Sequence, residues 1–295
     1  MDVEMKIQEP INKVTRKQKL KNYSKHPGSF LLALLTKLAI LLTVLALGFI
    51  LIYILVKGIP NLSTDLFALK YTTENVSMLP AIINTLIITL LSLCIAGPIG
   101  IFSAIYLVEY AKKGNKLVEV VRVTAETLTG IPSIVYGLFG MLFFVTTLKC
   151  GYSLLAGALT LSIMVLPVIM RTTEEALLAV PNSFREGSFG LGAGKLRTIF
   201  KIVLPSAVPG ILAGVILAIG RMVGETAALI YTAGTGAEIP SSIMSSGRTL
   251  AIHMYSLSKE GLYTDQAYAT AVVLLIVVVL INMLSNFVAK KFTKK

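Results

Sequence analysis

Long apolar runs separated by short polar segments dominate the pattern of this chain. A helix needs about 20 apolar residues to cross the core of a bilayer, and six runs approach or exceed this length. The predicted spans cover residues 38–56, 79–107, 129–148, 154–170, 208–232 and 268–289. Only 14% of the 295 residues are charged and 55% are hydrophobic, whereas a soluble domain carries about 25% charged residues. The pattern therefore predicts an all-α integral membrane protein with six transmembrane helices.

The distribution of basic residues predicts how these spans are oriented. Residues 1–29 form a basic tail, and residues 30–295 form the six-span domain. The segments on one predicted side of the membrane carry 20 Lys or Arg residues, and those on the other side carry 5. Because short basic segments stay in the cytoplasm, we predict cytoplasmic termini and a tail that lies on anionic lipids. The net charge of +12 is thereby explained without nucleic-acid binding.

Some local signals add detail to this topology. The Gly97-Pro98 pair predicts a kink or a break in the second span. Residues 117–128 have the apolar spacing of a short helix at the membrane interface. Residues 233–267 form a long external loop, in which we interpret His253 as a surface histidine.

The fifth span carries two charges near its middle, Arg221 and Glu225. A charge at the centre of a bilayer costs at least about 2.5–3.5 kcal/mol on insertion scales. In a continuous helix, residues four apart share a face and can reach each other. The spacing therefore predicts an Arg–Glu pair inside the membrane. The pair either lies on a transport path or only fixes the register of the helix, since buried ion pairs can serve specificity alone.

The longest predicted cytoplasmic segment, the loop of residues 172–207, has the pattern of three short helices. They cover residues 174–180, 183–191 and 195–203, and Gly192 is placed to cap the second one. Two short helices that meet at Gly192 beneath the bilayer would form a knob that another protein could grip. The alternative is an ordinary loop that returns the chain to the membrane.

This loop carries the spacing of a known signature. The residues concerned are Glu186, Gly187, Ser188, Gly192, Ile202, Leu204 and Pro205. Their order and spacing resemble the EAA signature of ABC importer permeases throughout. The sequence departs from it only where Gly187 and Ser188 replace two alanines, which keeps small side chains but weakens the helix slightly.

Other segments resemble the PstA family of phosphate-specific ABC importer permeases, more than the PstC family. They are AIYLVEY at 104–110, GIPSIVYG at 130–137, RTTE at 171–174 and, as the most specific, GRMVGETAAL at 220–229. The six-span length and SGRTL at 246–250 also favour PstA. The similarity extends from about residue 30 to about residue 290.

This resemblance implies the type I ABC importer permease fold and a subunit of an ATP-driven importer of inorganic phosphate. It further implies a bacterial or archaeal inner membrane, a heterodimer with the permease PstC, two copies of the ATPase PstB and a phosphate-binding protein PstS. The chain itself would be no enzyme and would need no cofactor, since the partner ATPase would bind ATP. The seven signature residues would couple the permease to that ATPase.

The phosphate path is expected at four residues. Phosphate carries about 1.5–2 negative charges at pH 7, and guanidinium groups bind it through paired hydrogen bonds. Because a bare cation would hold the anion too tightly, we expect Glu225 to neutralise Arg221 when the site is empty and to release it when phosphate passes. Arg171 is a second candidate cation nearer the cytoplasm, and Thr226 completes the candidate set.

Several kinds of site are not supported by the sequence. Glycines at alternate positions ahead of Lys195 look like a phosphate-cradling loop, but Phe189 stands where a P-loop requires Gly and Leu196 where it requires Ser or Thr. Cys94 lies in a span and Cys150 in a short loop, which indicates neither a disulfide nor a metal site.

Other functions remain as alternatives. A permease for another oxyanion, such as molybdate or sulfate, would share the same fold. A secondary transporter or ion channel could use the Arg–Glu pair as a relay, but it would leave the spacing in the 172–207 loop unexplained. A membrane enzyme fits least, because the spans contain no constellation of nucleophile and base.

Overall fold

The computed structural model describes residues 27–112 and 114–293, with side chains placed for residues 28–112 and 114–287. The basic tail therefore lies outside the described residues, apart from residues 27–29. In the described part every regular element is helical. The helices are α1 (Pro27–Gly58), α2 (Leu79–Tyr110), α3 (Lys116–Thr129), α4 (Ser133–Thr147), α5 (Leu154–Leu178), α6 (Asn182–Gly190), α7 (Lys195–Val223), α8 (Ala227–Ile230), α9 (Leu250–Glu260) and α10 (Thr264–Thr293), with short 3₁₀ turns at Ile59–Asn61 and Thr64–Phe67.

Five of these helices, α1, α2, α5, α7 and α10, are long and apolar enough to cross a membrane. A sixth span is possible if the bent pair of α3 and α4, which meet at 103°, counts as one. The predicted all-α membrane fold is thus confirmed. The loop expected at 233–267 contains the helix α9.

The chain divides into two compact units, residues 1–54 and residues 55–295. The first contains most of α1, whose apolar side chains are exposed. Such a surface suits a helix that faces lipid, where apolar side chains are no liability and all backbone groups are bonded within the helix.

The core of the second unit forms where α2 packs along α5 and α5 packs along α7. Its largest buried side chains include Ile88, Leu161, Met164, Ile169, Met222 and Leu229. Hydroxyl groups connect α2 and α5 inside this core: Ser92 Oγ donates to the Ala158 carbonyl at 3.2 Å, and Ser162 Oγ to the Ser92 carbonyl at 3.2 Å. Small and hydroxyl residues at such contacts let membrane helices approach closely.

The break expected near Pro98 is absent, since α2 continues through this residue as an unbroken helix. Pro98 itself is exposed, whereas Ala96, Gly97 and Gly100 on the neighbouring positions are buried. A proline removes one backbone hydrogen bond. Packing of the buried face against α5 keeps the helix continuous despite this loss.

The third predicted span, residues 129–148, corresponds to α4 and begins after a sharp bend. Gly130, Ile131 and Pro132 separate it from α3. Helix α3 itself confirms the short helix predicted over residues 117–128. Pro132 occupies the N-cap of α4. A proline disfavours helical backbone at the residue before it, which explains why the chain cannot run straight from α3 into α4.

The loop predicted over 172–207 is much shorter in the structure. Residues 172–178 continue α5, so the first predicted short helix is the end of that helix rather than a separate element. The third predicted helix, over residues 195–203, likewise runs on into the fifth span as α7. Only the second short helix stands alone, as α6. Apolar residues at these ends, Leu177, Ile199 and Val203, are buried in one core cluster, which favours continuation of both long helices.

Candidate functional site

The fifth span breaks where its two charges lie. Helix α7 ends at Val223 with Gly224 as its C-cap, and α8 begins at Ala227. Glu225 therefore lies in the break and not one helical turn beyond Arg221. The prediction of one continuous helix over residues 208–232, with both charges on a shared face, is wrong.

Each charge is placed at one end of a helix. Arg221 lies in the last turn of α7, where the negative end of the helix dipole favours a cation. Residue Glu225 is 9% exposed, and its Oε1 accepts a hydrogen bond from the Ala228 backbone N–H at 3.1 Å. Glu225, the residue before the N-cap Thr226, thus caps the first turn of α8 by accepting one of its free backbone N–H groups. The break places two charges without pairing them.

Arg221 is left without a partner of its own. Among the described residues its guanidinium forms no ion pair and no hydrogen bond, although the side chain is half-buried. It lies near enough to Tyr136 of α4 for an electrostatic interaction. The Tyr136 hydroxyl is already engaged, since it donates to the Leu128 carbonyl at 2.7 Å.

Glycines allow α8 to sit directly on the neighbouring helices. A Cβ built on Gly137 would lie 2.9 Å from Cα of Ala228, and one built on Gly157 would lie 3.1 Å from Cδ2 of Leu229. Real Cβ atoms rarely come this close to a neighbour, so α8 packs backbone to backbone against α4 and closely against α5. The segments at 130–137 and 220–229, far apart in the sequence, are thereby neighbours in space.

The other two candidate path residues lie in different settings. Arg171 is exposed and forms ion pairs with Glu126 of α3 at 3.4 Å and Glu175 of α5 at 3.3 Å. These residues line a cavity of about 290 Å³ that also includes Arg122, paired with Glu174 at 2.6 Å. Thr226 is half-buried, and its hydroxyl lies 3.5 Å from the Gly224 carbonyl, a weak contact.

The signature residues lie in α6, at Gly192 just after it, and in the first part of α7. Gly192 adopts the left-handed conformation, with φ of +81°, which confirms the predicted helix end. Gly187, Ser188, Gly192 and Ile202 line one open cavity of about 530 Å³. Glu186, Leu204 and Pro205 are not among its lining residues; Glu186 and Pro205 are exposed on the surface.

The cavity beside α6 is surrounded by apolar and basic side chains. Leu191 is 91% exposed, and Phe184 and Phe189 are also exposed. Arg197 contributes a positive charge to the cavity wall. Exposed apolar groups in such density are typical of surfaces that contact another protein or the membrane.

A buried polar cluster on the predicted external side was missed by the sequence analysis. His253 is fully buried rather than on the surface, so that expectation is wrong. Burial, and then the Arg248 cation, lowers the pKa of His253 to about 3. Arg248 packs with its guanidinium 4.5 Å above the ring of Tyr71. The SGRTL segment was the only signal for this cluster, and it does not indicate which side chains turn inward.

No group of three or more His, Cys, Asp and Glu residues in the described part of the chain is arranged to hold a metal ion.

Comparison with known proteins identifies the family. Residues 96–295 match the family of binding-protein-dependent transport system inner membrane components. The chain is 36% identical over 269 residues to the phosphate transport system permease protein PstA of Pasteurella multocida, which covers 87% of this chain and 92% of the relative. It is 32% identical over 261 residues to the probable ABC transporter permease protein YqgI of Bacillus subtilis, covering 82% and 88%.

Solved structures show the same fold. A crystal structure of a bacterial alginate ABC transporter in complex with its alginate-bound periplasmic protein aligns with a TM-score of 0.67 at 17% identity, covering 92% of this chain and 98% of that one. The family is not catalytic, and its members are multi-pass proteins of the inner membrane. The chain belongs to the family of binding-protein-dependent transport system inner membrane components, and it is the permease component of an ABC importer.

Proposed function

We propose that this permease forms part of the membrane path for inorganic phosphate in an ATP-driven importer, as a subunit of the PstA type. Support comes from the Pasteurella multocida relative named a phosphate transport permease. The chain would pair with a homologous PstC permease, receive phosphate from a PstS-type binding protein and bind two PstB-type ATPase subunits. Both termini would lie in the cytoplasm, as the distribution of basic residues indicates.

The observation that carries this proposal is the unpaired Arg221 at the break of the fifth span. Broken helices at mid-membrane are a recurrent way to build substrate sites in transporters. A half-buried guanidinium without an ionic partner among the described residues can donate paired hydrogen bonds to a phosphate oxyanion. The hydroxyl of Thr226, three residues beyond the end of α7, is a further donor for the same anion.

The proposed role of Glu225 is to shape the break. Its carboxylate holds the Ala228 N–H and thereby fixes where α8 begins. It leaves Arg221 free for the anion, and release follows when the conformation of the break changes. Arg171, held by two carboxylates, is the proposed second cation toward the cytoplasm.

The ATPase would dock on the cavity beside α6, through the EAA-like residues Glu186, Gly187, Ser188, Gly192, Ile202, Leu204 and Pro205. Exposed Leu191 and Phe184 supply apolar contact area. The charge of Arg197 would favour an acidic partner surface. ATP hydrolysis would take place on the partner chain.

The test is uptake of radiolabelled phosphate into proteoliposomes that contain the permease pair, the ATPase and the external binding protein. We expect uptake that needs ATP and that excess sulfate or molybdate does not compete away. Preferred transport of sulfate or molybdate would assign the permease to another oxyanion. Uptake without the ATPase would instead indicate a secondary transporter.

A further inference from the structure

The short helix α6 is bonded to a helix that is distant in the sequence. Arg185 of α6 donates from both Nε and Nη2 to Oε1 of Glu109, at 3.0 Å and 2.6 Å. Seventy-six positions separate the two residues in the chain. Their side chains are only 15% and 9% exposed. This is the least exposed ion pair among the described residues.

The same guanidinium also closes the end of α5. Nη1 of Arg185 donates to the Val180 carbonyl at 2.8 Å, and Nη2 donates to the Leu177 carbonyl at 3.0 Å. The last carbonyls of a helix have no partner within the helix, and a cation near them is favourable. One side chain therefore joins α6 to α5 and to α2 at once.

Glu109 lies in the last turn of α2, which is a π-helical turn, Tyr106–Tyr110. This turn belongs to the core cluster that also contains Leu177 of α5 and Ile199 and Val203 of α7. A further contact, between the hydroxyls of Ser188 and Thr198 at 2.8 Å, joins α6 to α7. Helix α6 is thus connected to three membrane helices, and among the described residues the Arg185–Glu109 pair is the only ion pair that joins α6 to α2.

The chemistry of this pair favours a fixed connection over a loose one. An arginine that uses four donor contacts on fixed acceptors is geometrically specified, unlike an exposed lysine pair. A buried ion pair that loses one partner leaves the other charge unsatisfied, so the pair resists separation. A movement of α6 must therefore carry the end of α2 with it or break the pair.

We propose that Arg185 and Glu109 are positioning residues that make α6 and the Tyr106–Tyr110 end of α2 move as one body. A displacement of α6 by the ATPase then passes directly to α2, which packs along α5 through the core. Without the pair, the displacement would still reach the membrane through α5 and α7, the sequence neighbours of α6, but it would lose its direct ionic link to α2. The inference rests on the ATPase-coupling part of the proposed function and is independent of which anion is carried.

The experiment uses the full transporter in proteoliposomes and measures substrate transport and ATP hydrolysis together. Arg185→Gln and Glu109→Gln should each lower transport per ATP by about tenfold or more. Either change breaks the connection between α6 and α2 and leaves the other charge buried without its partner. The double variant should be no worse than either single one, because both remove the same connection. Arg185→Lys keeps the charge and should recover part of the ratio.

Glu119→Gln is the matched control, because it also removes one acidic charge but from an exposed position on α3. It should leave transport per ATP unchanged. Unchanged ratios in the Arg185 and Glu109 variants, in complexes that assemble and hydrolyse ATP, would overturn the proposal. Independent, multiplying effects of the two single variants would overturn it as well.

A second measurement keeps the native pair intact. Spin labels at exposed positions 106 and 182 report the distance between the end of α2 and the start of α6. We expect this distance to be the same with and without ATP, while the distance from position 182 to a label in the external loop changes. A change between 106 and 182 as large as that reference change would refute the single-body movement. Failure of the unsubstituted chain to bind an ATPase would instead count against the proposed function.

Discussion

Arg185 and Arg221 are both partly buried arginines of the same membrane unit, yet their surroundings are opposite. Arg185 uses Nε and both terminal nitrogens on two carbonyls and one carboxylate oxygen. Arg221 has no ion pair or hydrogen bond among the described residues. It lies in the last turn of α7, next to the break in the fifth span. A guanidinium whose donors are satisfied serves the protein itself, whereas an unsatisfied one is available to a ligand.

The difference shows that the position of an arginine within a membrane segment does not by itself indicate its role. Arg221 was expected to be paired with Glu225, and Arg185 carried no expectation. The backbone decides the outcome, because a helix that stops at Val223 turns Glu225 toward the start of α8. The following predictions test how far this contrast holds.

Arg221→Gln should have the largest effect on transport. We expect ATP-dependent phosphate uptake to fall by about thirtyfold or more, since loss of one partner of a charged hydrogen-bonded contact costs at least about 2 kcal/mol. The thermal unfolding temperature should hardly change, because the side chain has no ionic partner in the described structure. Undiminished uptake by an assembled complex would remove Arg221 from the path.

Gly214→Ala should destabilise the packing of α7, the helix that carries Arg221, against α5. A Cβ at position 214 of α7 would lie 2.6 Å from Cβ of Thr172 on α5, so the two helices must separate. We expect the free energy of unfolding to fall by about 1–3 kcal/mol, as for other overpacked cores. In Gly97→Ala the nearest atom, Cδ1 of Leu93, is 3.8 Å away, and this control should be neutral. Equal unfolding temperatures for both variants in detergent would contradict the tight contact.

His253 gives the stability a pH dependence that involves a third arginine, Arg248. The pKa of His253 in the folded protein, about 3, lies below the ordinary histidine value of 6.5. Below pH 6.5 the unfolded chain therefore protonates His253, whereas the folded chain keeps this histidine neutral until the pH approaches 3. Stability is fully present above pH 6.5 and declines as the pH falls toward 3, by up to about 1.4 kcal/mol per pH unit. Melting curves at pH 7.5 and 5 should show a smaller shift in His253→Gln; identical shifts would exclude this contribution.

Glu225→Ala should cost about 1 kcal/mol of stability, the usual loss for a helix cap. Glu225→Gln should cost less, because the amide oxygen can still accept the Ala228 N–H. This pair of variants distinguishes the cap from an ion pair with Arg221. If an ion pair were responsible, Gln and Ala would be equally harmful, since both remove the charge.

Arg171→Gln should have only a small effect on stability, because its ion pairs are exposed to solvent. Raising the salt concentration should weaken even this contribution. The proposed second cation of the path would show itself in uptake, with a reduction smaller than that of Arg221→Gln. A stability loss as large as that of Gly214→Ala would mean that Arg171 is a packing residue.

Much of the fold could be predicted from the sequence, because apolar runs of bilayer length have few alternatives in a membrane. The long helices α2, α5 and α10 lie where the runs at 79–107, 154–170 and 268–289 indicate. Helix ends were predicted less well. The sequence predicts that the fourth span ends before Arg171, so residues 172–178 fall in the predicted loop. Burial of Leu177 in the core instead prolongs the helix to Leu178.

The candidate site was predicted as a set of residues but not as an arrangement. Arg221, Glu225 and the EAA-like residues stand in recognisable spacing. Their pairing depends on the break at Gly224, and a glycine in an apolar run does not reveal whether it ends a helix or allows close packing. Gly137, Gly157 and Gly214 show the second use, and Gly224 the first.

The sequence by itself determined that the protein is a helical membrane permease with an EAA-like motif and two charges in its fifth span, because these properties depend on local composition and spacing. Only the tertiary structure decided which charges meet. It joined Arg185 to Glu109 across the chain and left Arg221 without an ionic partner in the described part of the chain, because ion pairing depends on distances of a few ångströms between helices. Such distances are set by how glycines and buried side chains on separate helices pack together. No single stretch of sequence contains this information.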